Sequence, residues 1–230
     1  MAARGILITR PEPGLAETAA AVAAMGWVPV LAPALSLQPR ALGGVEVQAM
    51  LITSRAAAAS LPIGPPVLAV GEASAAEARA LGHHAMAADG DAASLLSLAC
   101  ERLRPANGPL LLAVGQGYAM DLAAGLRAAG FAVLRRIAYA AAPVVALPAQ
   151  AQAALRDKAV AAAVFLSPRS ASCAISLLRD AGLADHAAGI RAIAISPRVG
   201  RVLATLPWRR IEIAARADHD SILELLGPCA

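Results

Sequence analysis

The chain has 230 residues, of which 58% are hydrophobic, 16% charged and only 3% aromatic. This length accommodates one large domain or two small ones, and the high apolar content, most of it alanine, excludes a disordered chain. The net charge of +4 comes from 19 arginines and one lysine, Lys158, against 16 acidic residues. Arginine binds carboxylate and phosphate through paired N–H groups, so this excess indicates either an anionic partner or a GC-rich genome.

Several classes of function lack their sequence signals. No basic run with interleaved aromatic residues is present, so nucleic acid is not an expected partner. The cysteines lack CxxC spacing and the histidines lack zinc-site spacing, so we expect no metal. Only a short apolar run precedes Arg10, and Gly26 and several prolines interrupt the uncharged stretch 18–39. We therefore expect a cytoplasmic protein without a signal peptide and without membrane contact.

The first predicted elements form a βαβ unit. Strands are predicted at 5–9 and 27–30, and the helix between them carries Leu15, Thr18, Val22 and Met25 on one face. Gly26 is placed to end this helix in the left-handed conformation. Two parallel strands joined in this way form a right-handed crossover.

Two extended, proline-containing segments, 32–39 and 135–143, divide the remaining elements into blocks. Between them, strands are predicted at 49–53, 67–70, 110–114 and 131–134. The helices of this block are predicted in the alanine-rich segment after Arg55 and at 74–81, 94–103 and 120–129. Beyond the second segment, helices are predicted at 150–158 and 221–226 and strands at 163–166, 191–195 and 210–214. The alternation predicts an α/β fold built on parallel sheets.

Internal similarity indicates two related halves. Segment 49–57 resembles 163–171, and segment 67–74 resembles 192–199. The helix that ends at Gly26 also resembles the one that ends at Gly130. Because the N-terminal unit matches the end of the middle block, we predict that one domain is split by insertion of the other. The predicted boundaries are 1–34 plus 144–230 for domain one and 38–138 for domain two, with linkers at 35–37 and 139–143.

The carboxyl ends of the predicted strands form the expected binding edges, because helix N-termini there offer free N–H groups and partial positive charge. The corner residues are Thr9, Arg10, Thr53, Ser54, Arg55, Gly71, Ser74, Gly115, Ser167, Arg169, Ser196 and Arg198. Each hydroxyl residue has a second interpretation as a helix N-cap. Asp218-His219-Asp220, ahead of the last helix, resembles a catalytic triad only in composition and is interpreted as helix capping. No carboxylate pair is placed as acid and base, so an enzyme of this sequence would work mainly by positioning and electrostatics.

In their order and spacing, short motifs resemble the uroporphyrinogen-III synthase family over nearly the whole chain. The motifs are Ile-Leu-Ile-Thr-Arg-Pro11, Gly-Trp-Val-Pro-Val-Leu-Ala-Pro33, Thr-Ser-Arg55, Ala-Val-Gly71 with Ser74, Tyr139 in the second extended segment, and Phe-Leu-Ser-Pro-Arg169. The resemblance implies two flavodoxin-like α/β domains joined by a two-stranded connector, with the active site in the interdomain cleft.

The resemblance also implies an activity in tetrapyrrole biosynthesis. The family closes linear hydroxymethylbilane into uroporphyrinogen III, with loss of water and inversion of the last pyrrole ring through a spiro intermediate. It acts as a monomer and uses no cofactor or metal. Because the substrate is a polycarboxylate, the arginine-rich composition and the helix N-termini would serve one purpose.

The resemblance gives roles to particular residues. Tyr139 matches a tyrosine that assists departure of the terminal hydroxyl, for which a phenol can act as general acid. The alternative for Tyr139 is a residue that fills the hinge. Thr53, Ser54 and Ser167 match corner residues that hold substrate carboxylates through hydroxyl and backbone N–H groups. The arginines expected to pair with carboxylates are Arg10, Arg55 and Arg169.

One motif departs from the family pattern. After the penultimate strand the family has Gly-x-x-Thr, whereas this chain has Ser196-Pro-Arg-Val199, so Val199 replaces a hydroxyl that is expected to face the cleft. Arg198 is expected to supply charge in place of that hydrogen bond. Three functions stay open: the cyclising lyase, a non-catalytic paralogue that binds a tetrapyrrole, and a periplasmic-type anion-binding protein. The last is disfavoured by the lack of a signal peptide.

Overall fold

The computed structural model describes residues 4–116 and 119–229, in which eleven strands and eight α-helices occur. The chain divides into two compact units: unit 1 comprises residues 1–36 with 142–230, and unit 2 comprises residues 37–141. The two passages between the units lie in strands β3 (Leu35–Pro39) and β8 (Val133–Pro143). These strands are neighbours in one sheet and form the predicted two-stranded connector. The predicted domain boundaries, 1–34 with 144–230 and 38–138, stay a prediction.

Unit 1 is built on a parallel five-stranded sheet in the order β11-β10-β9-β1-β2. Its strands are β1 (Gly5–Ile8), β2 (Val28–Leu31), β9 (Val160–Phe165), β10 (Arg191–Ala194) and β11 (Arg210–Ile213). Its helices are α1 (Gly14–Ala24), α5 (Ala149–Arg156), α6 (Pro168–Asp180), α7 (Pro197–Leu203) and α8 (His219–Leu226).

The unit 1 sheet buries both of its faces. Leu7 and Phe165 point into one apolar core, where Trp208 packs edge-on against Phe165 with ring centroids 5.5 Å apart. Ile8 and Val164 belong to a second core. Successive strand residues therefore alternate between two apolar environments, which explains why these strands are continuous hydrophobic runs in the sequence. Gly26 ends α1 with φ +87°, as predicted.

Unit 2 is built on a six-stranded sheet in the order β3-β8-β7-β4-β5-β6. Its further strands are β4 (Ala49–Ile52), β5 (Val67–Ala69), β6 (Ala85–Ala87) and β7 (Leu110–Gly115). Its helices are α2 (Glu72–Ala80), α3 (Ala92–Arg102) and α4 (Met120–Ala128), with 3-10 turns at Arg55–Ser60 and Pro105–Asn107. From β8 to β6 every adjacent pair is parallel.

The two sheets share one strand order, which accounts for the internal similarity of the sequence. The run β8-β7-β4-β5-β6 in unit 2 corresponds to β2-β1-β9-β10-β11 in unit 1. The first pair of similar segments forms β4 in unit 2 and β9 in unit 1, each at the centre of this five-strand run. The second pair forms β5 and β10, which lie beside them. The chain orders differ by a circular shift, because β1 and β2 come first in unit 1 whereas β7 and β8 come last in unit 2.

Some local predictions were wrong. The alanine-rich segment after Arg55 is a six-residue 3-10 helix and not an α-helix. It ends because Leu61, which precedes Pro62, is extended at φ −74° and ψ 138°. Helix α2 begins two residues before the predicted start at Ser74. Strand β6 was missed, since a three-residue Ala-Met-Ala run gives no strand signal.

Aspartate side chains cap helices α3 and α8. Asp91 accepts a hydrogen bond from the Ser94 N–H in a reciprocal capping box. Asp218 accepts one from the Ser221 N–H at 2.8 Å, so its interpretation as the cap of α8 is confirmed. Within the described ranges, no helix has both the length and the apolar character needed to cross a membrane.

Candidate functional site

The carboxyl ends of β4, β5 and β7, with the middle of β8 beside them, bring predicted residues together along one edge of the unit 2 sheet. Ile52 in β4 pairs with Ala69 on one side and with Ala113 on the other. Two residues beyond this level lie Ser54, Gly71 and Gly115, which therefore follow one another across the edge. Gly115 is in turn paired with Tyr139 in β8.

Tyr139, Ser54 and Gly115 form a single contact cluster. The Ser54 Oγ donates a hydrogen bond of 3.0 Å to the Tyr139 hydroxyl oxygen. A Cβ atom at Gly115 would lie 2.7 Å from that oxygen and 2.8 Å from the ring carbon that carries it. Only glycine leaves room for the phenol here. Because Ser54 donates, the phenol keeps its own proton for another acceptor.

The Ser54 hydroxyl does not cap the helix that follows it. Ser54 occupies the N-cap position of the 3-10 helix with extended backbone angles, φ −157° and ψ 154°, but its side chain makes no cap hydrogen bond. Its hydroxyl bonds to Tyr139 instead. For this corner, the interpretation as a helix cap does not hold.

The other predicted residues of unit 2 surround this cluster. Thr53 and Arg55 are half-buried on either side of Ser54. Gly71 is the N-cap of α2, and a Cβ there would approach the Gly90 Cα to 3.3 Å. Ser74 lies in the first turn of α2 and is only 7% exposed.

The corresponding edge of unit 1 contains Thr9, which is fully buried. Its hydroxyl donates to the Val164 carbonyl at 2.9 Å, and its own carbonyl accepts a hydrogen bond from the Ser170 hydroxyl at 2.8 Å. These bonds tie β1 to β9 and to the first turn of α6. Thr9 is therefore placed as a structural residue that shapes the edge, since its side chain has no surface to offer to a ligand.

Two Ser-Pro-Arg corners lie at the same edge. Ser167 is a true N-cap of α6, because its Oγ accepts a 3.0 Å hydrogen bond from the Ser170 N–H. Ser196 begins α7 without a side-chain cap bond. Arg169 and Arg198 follow the two prolines and are both exposed, and Arg198 has no hydrogen-bond or ion-pair partner among the described residues.

Val199 lies in the apolar core of unit 1 and is fully buried. In this chain the side chain at this position is packed in the core and is not accessible to solvent. Ser74 is its counterpart in the internal repeat and is also buried. A valine therefore fits the position, and it removes no accessible hydroxyl from the edge.

Arg10 is held by contacts that the sequence did not reveal. Its Nη1 donates to the Thr18 hydroxyl at 3.2 Å, and the Thr18 Oγ1 lies 3.1 Å from His219 Nε2. Thr18 and His219 are 201 positions apart in the chain, so no local pattern links them. Close to Arg10, the Glu12 carboxylate accepts a hydrogen bond from the Ala16 N–H in the first turn of α1.

No group of three or more His, Cys, Asp or Glu side chains within residues 4–116 and 119–229 is arranged to hold a metal ion. The polar groups at the two edges are hydroxyls, arginines and backbone N–H groups. Such groups bind carboxylates, and a phenol among them can transfer a proton.

A family model described as uroporphyrinogen-III synthase HemD matches residues 16–224, a stretch that includes Tyr139 and most of the edge residues but not Thr9 or Arg10. Uroporphyrinogen-III synthetase from Helicobacter pylori is similar in structure, with 17% identity, 97% of this chain and 98% of that chain covered, and a TM-score of 0.56. This similarity shows the fold alone.

A mutant uroporphyrinogen III synthase from Thermus thermophilus is 18% identical over 96% of each chain, with a TM-score of 0.45. A search of curated proteins returned no match. The family model, in contrast, spans most of the sequence. The chain therefore belongs to the uroporphyrinogen-III synthase HemD family.

Proposed function

We propose that the protein is a cyclising lyase that converts linear hydroxymethylbilane into uroporphyrinogen III, with loss of water and inversion of the last pyrrole ring. Membership of the family supports the reaction class. The observation that carries the proposal for this chain is the Tyr139 phenol, which Ser54 holds over Gly115 at the edge of the unit 2 sheet. We further propose that it acts in the cytoplasm as a monomer, without metal or cofactor.

The cluster supplies a proton where the reaction needs one. The phenol O–H proton moves to the terminal hydroxyl of the substrate as the C–O bond breaks, and water leaves. The phenolate oxygen that forms keeps the hydrogen bond from Ser54, which stabilises its charge. When the rearranged macrocycle loses a proton from carbon, that proton restores the phenol. In this balance only water is released and nothing is oxidised or reduced.

The remaining edge residues bind the carboxylates of the substrate. In unit 2 the half-buried Thr53 and Arg55 flank Ser54, and the first turn of α2 presents backbone N–H groups. In unit 1 the exposed Arg169 stands in the first turn of α6, and Arg198 in that of α7. The Ser167 hydroxyl is committed to its cap, so its contribution is to fix the helix start at which a carboxylate binds.

The product isomer tests the proposal directly. Freshly made hydroxymethylbilane is added to the purified protein, the products are oxidised, and the porphyrin isomers are separated. We expect the type III isomer to dominate. A type I product at the spontaneous level would refute the enzyme and favour the non-catalytic paralogue. Val199 is buried in the core, so its replacement of the family's hydroxyl does not by itself favour the paralogue.

A further inference from the structure

The Arg10 guanidinium has a defined place at the carboxyl edge of the unit 1 sheet. Its Nη1 donates to the Thr18 hydroxyl at 3.2 Å. The group also lies against the backbone of Gly14, where a Cβ atom would overlap the guanidinium. Glycine at the start of α1 therefore lets the guanidinium lie across the first turn of the helix.

The Thr18 hydroxyl connects Arg10 to His219. Thr18 is fully buried, and among the described residues its hydroxyl oxygen contacts only Arg10 Nη1 and His219 Nε2, the latter at 3.1 Å. A guanidinium can only donate, so the hydroxyl accepts from Arg10. On its other side the hydroxyl is hydrogen-bonded to His219 Nε2. The hydroxyl is thus hydrogen-bonded to both side chains at once.

The position of His219 is fixed by the helix that it begins. His219 is the first residue of α8, and Asp218 caps that helix through a 2.8 Å bond from the Ser221 N–H. Asp218 is itself held by Arg216 at 3.1 Å. The turn after β11 thus fixes the position of the imidazole. The imidazole is hydrogen-bonded to the Thr18 hydroxyl, which in turn accepts a hydrogen bond from Arg10.

We propose that His219 is a positioning residue for Arg10, acting through the buried hydroxyl of Thr18. The inference rests on the proposed function, together with the expectation that Arg10 pairs with a carboxylate of the substrate. A long arginine side chain loses considerable rotamer freedom when it is fixed. If that freedom is already lost in the free protein, substrate binding does not have to remove it.

A double-mutant cycle tests this relation in the full-length protein. We expect His219→Phe to raise the KM for hydroxymethylbilane about three- to tenfold, the effect of one lost hydrogen bond, with kcat changed less than about twofold. Thr18→Val should raise the KM by a similar factor, whereas Thr18→Ser should retain the wild-type KM. In an Arg10→Ala background, His219→Phe should have no further effect. An equal rise in KM in that background would overturn the proposal. His84→Phe, at an exposed histidine of unit 2, serves as the control.

A second measurement does not depend on turnover. Nitrogen-15 NMR of the imidazole ring is expected to show that Thr18→Val changes the chemical shift of His219 Nε2, because this atom is hydrogen-bonded to the Thr18 hydroxyl. A Nε2 shift that is insensitive to Thr18→Val would contradict the inference even if the enzyme is active. If the wild-type protein yields only the type I isomer, the proposed function fails, while the NMR result still decides whether His219 and Thr18 are coupled.

Discussion

At the scale of single residues, Tyr139 is distinguished by the way three strands enclose its hydroxyl. Tyr139 lies in β8, and Gly115 at the end of β7 makes room for its phenol. Ser54, which follows β4, donates a hydrogen bond to the phenol oxygen. A tyrosine that only filled a hinge would not require a glycine beneath the phenol oxygen or a serine directed at it. The geometry thus favours a chemical role.

We expect Tyr139→Phe to lower kcat by about a hundredfold or more while KM changes little, because loss of a general acid affects the transition state. Ser54→Ala should lower kcat less, by about tenfold, since it removes one hydrogen bond to a developing charge. Steady-state assays of isomer III formation measure both. Ser97→Ala, at an exposed site on α3, is the control. Full turnover in Tyr139→Phe would make Tyr139 a hinge residue.

The sequence could not predict which polar side chains of the edges are accessible. Thr9 and Ser54 both follow a buried strand, yet Thr9 is enclosed by β9 and α6 whereas Ser54 meets Tyr139. The difference depends on residues more than 80 positions away in each case, as the separations of 155 and 85 show. His219 was interpreted as structural for the same reason, because its partner Thr18 lies at the other end of the chain.

At the scale of elements, the two Ser-Pro-Arg corners provide a natural comparison. Both serines stand at an N-cap with a proline in the first turn, but only Ser167 accepts a hydrogen bond from its helix. A cap bond stabilises a helix, whereas a serine without one leaves the N–H groups to other partners. The same sequence pattern therefore gives two different local roles.

Ser167→Ala should lower the free energy of unfolding by about 1 kcal/mol, the usual effect of losing an N-cap. Ser196→Ala should lower it by less, because no cap bond is lost. Urea unfolding of the two variants measures the difference. Equal losses of stability would show that the hydrogen bond at Ser167 contributes nothing to α6.

The elements themselves were largely predictable, and the failures have local causes. Continuous apolar runs identified the central strands, and Gly26 marked the end of α1. The prediction for the segment after Arg55 was wrong because the helix propensity of alanine suggested an α-helix, whereas Pro62 allowed only a short 3-10 turn. Strand β6 was not predicted because Ala85–Ala87 forms a strand through its pairing with β5 and not through its own composition.

At the scale of the whole molecule, the repeated strand order shows that the two units are variations of one topology. The internal similarity predicted two related halves, and the matched segments occupy matched places in the two sheets. The edges have nevertheless diverged. Unit 2 carries the phenol cluster, whereas unit 1 carries the hydrogen-bonded arginine and the two Ser-Pro-Arg corners. In the proposed function, proton transfer therefore belongs to one unit, and both units bind carboxylates.

Stability should depend on pH through groups in both units, at different pH values. In unit 2, burial lowers the pKa of His83, whose Nδ1 has no hydrogen-bond partner among the described residues. In unit 1, burial alone would raise the pKa of Glu212, but hydrogen bonds and charges from Arg191 and Arg210 outweigh burial and lower it. Glu212 stabilises the fold above the unfolded value of about 4.5, and this stability is lost only as the pH falls through the lower pKa of the folded state.

Protonation of His83 affects the stability of the fold at higher pH than protonation of Glu212 does. The unfolded chain takes up a proton on this histidine near pH 6.5, while the folded protein does so only at lower pH, so stability falls as the pH drops from about 6.5 toward the folded pKa. We expect the loss of unfolding free energy between about pH 7.5 and about pH 5.5 to be smaller in His83→Phe than in the wild type. Urea unfolding at both pH values measures it, with the exposed His84→Gln as control. An unchanged difference in His83→Phe would mean that His83 is protonated equally in both states. A smaller difference would show that burial of this neutral histidine limits the acid stability of the fold before Glu212 begins to titrate.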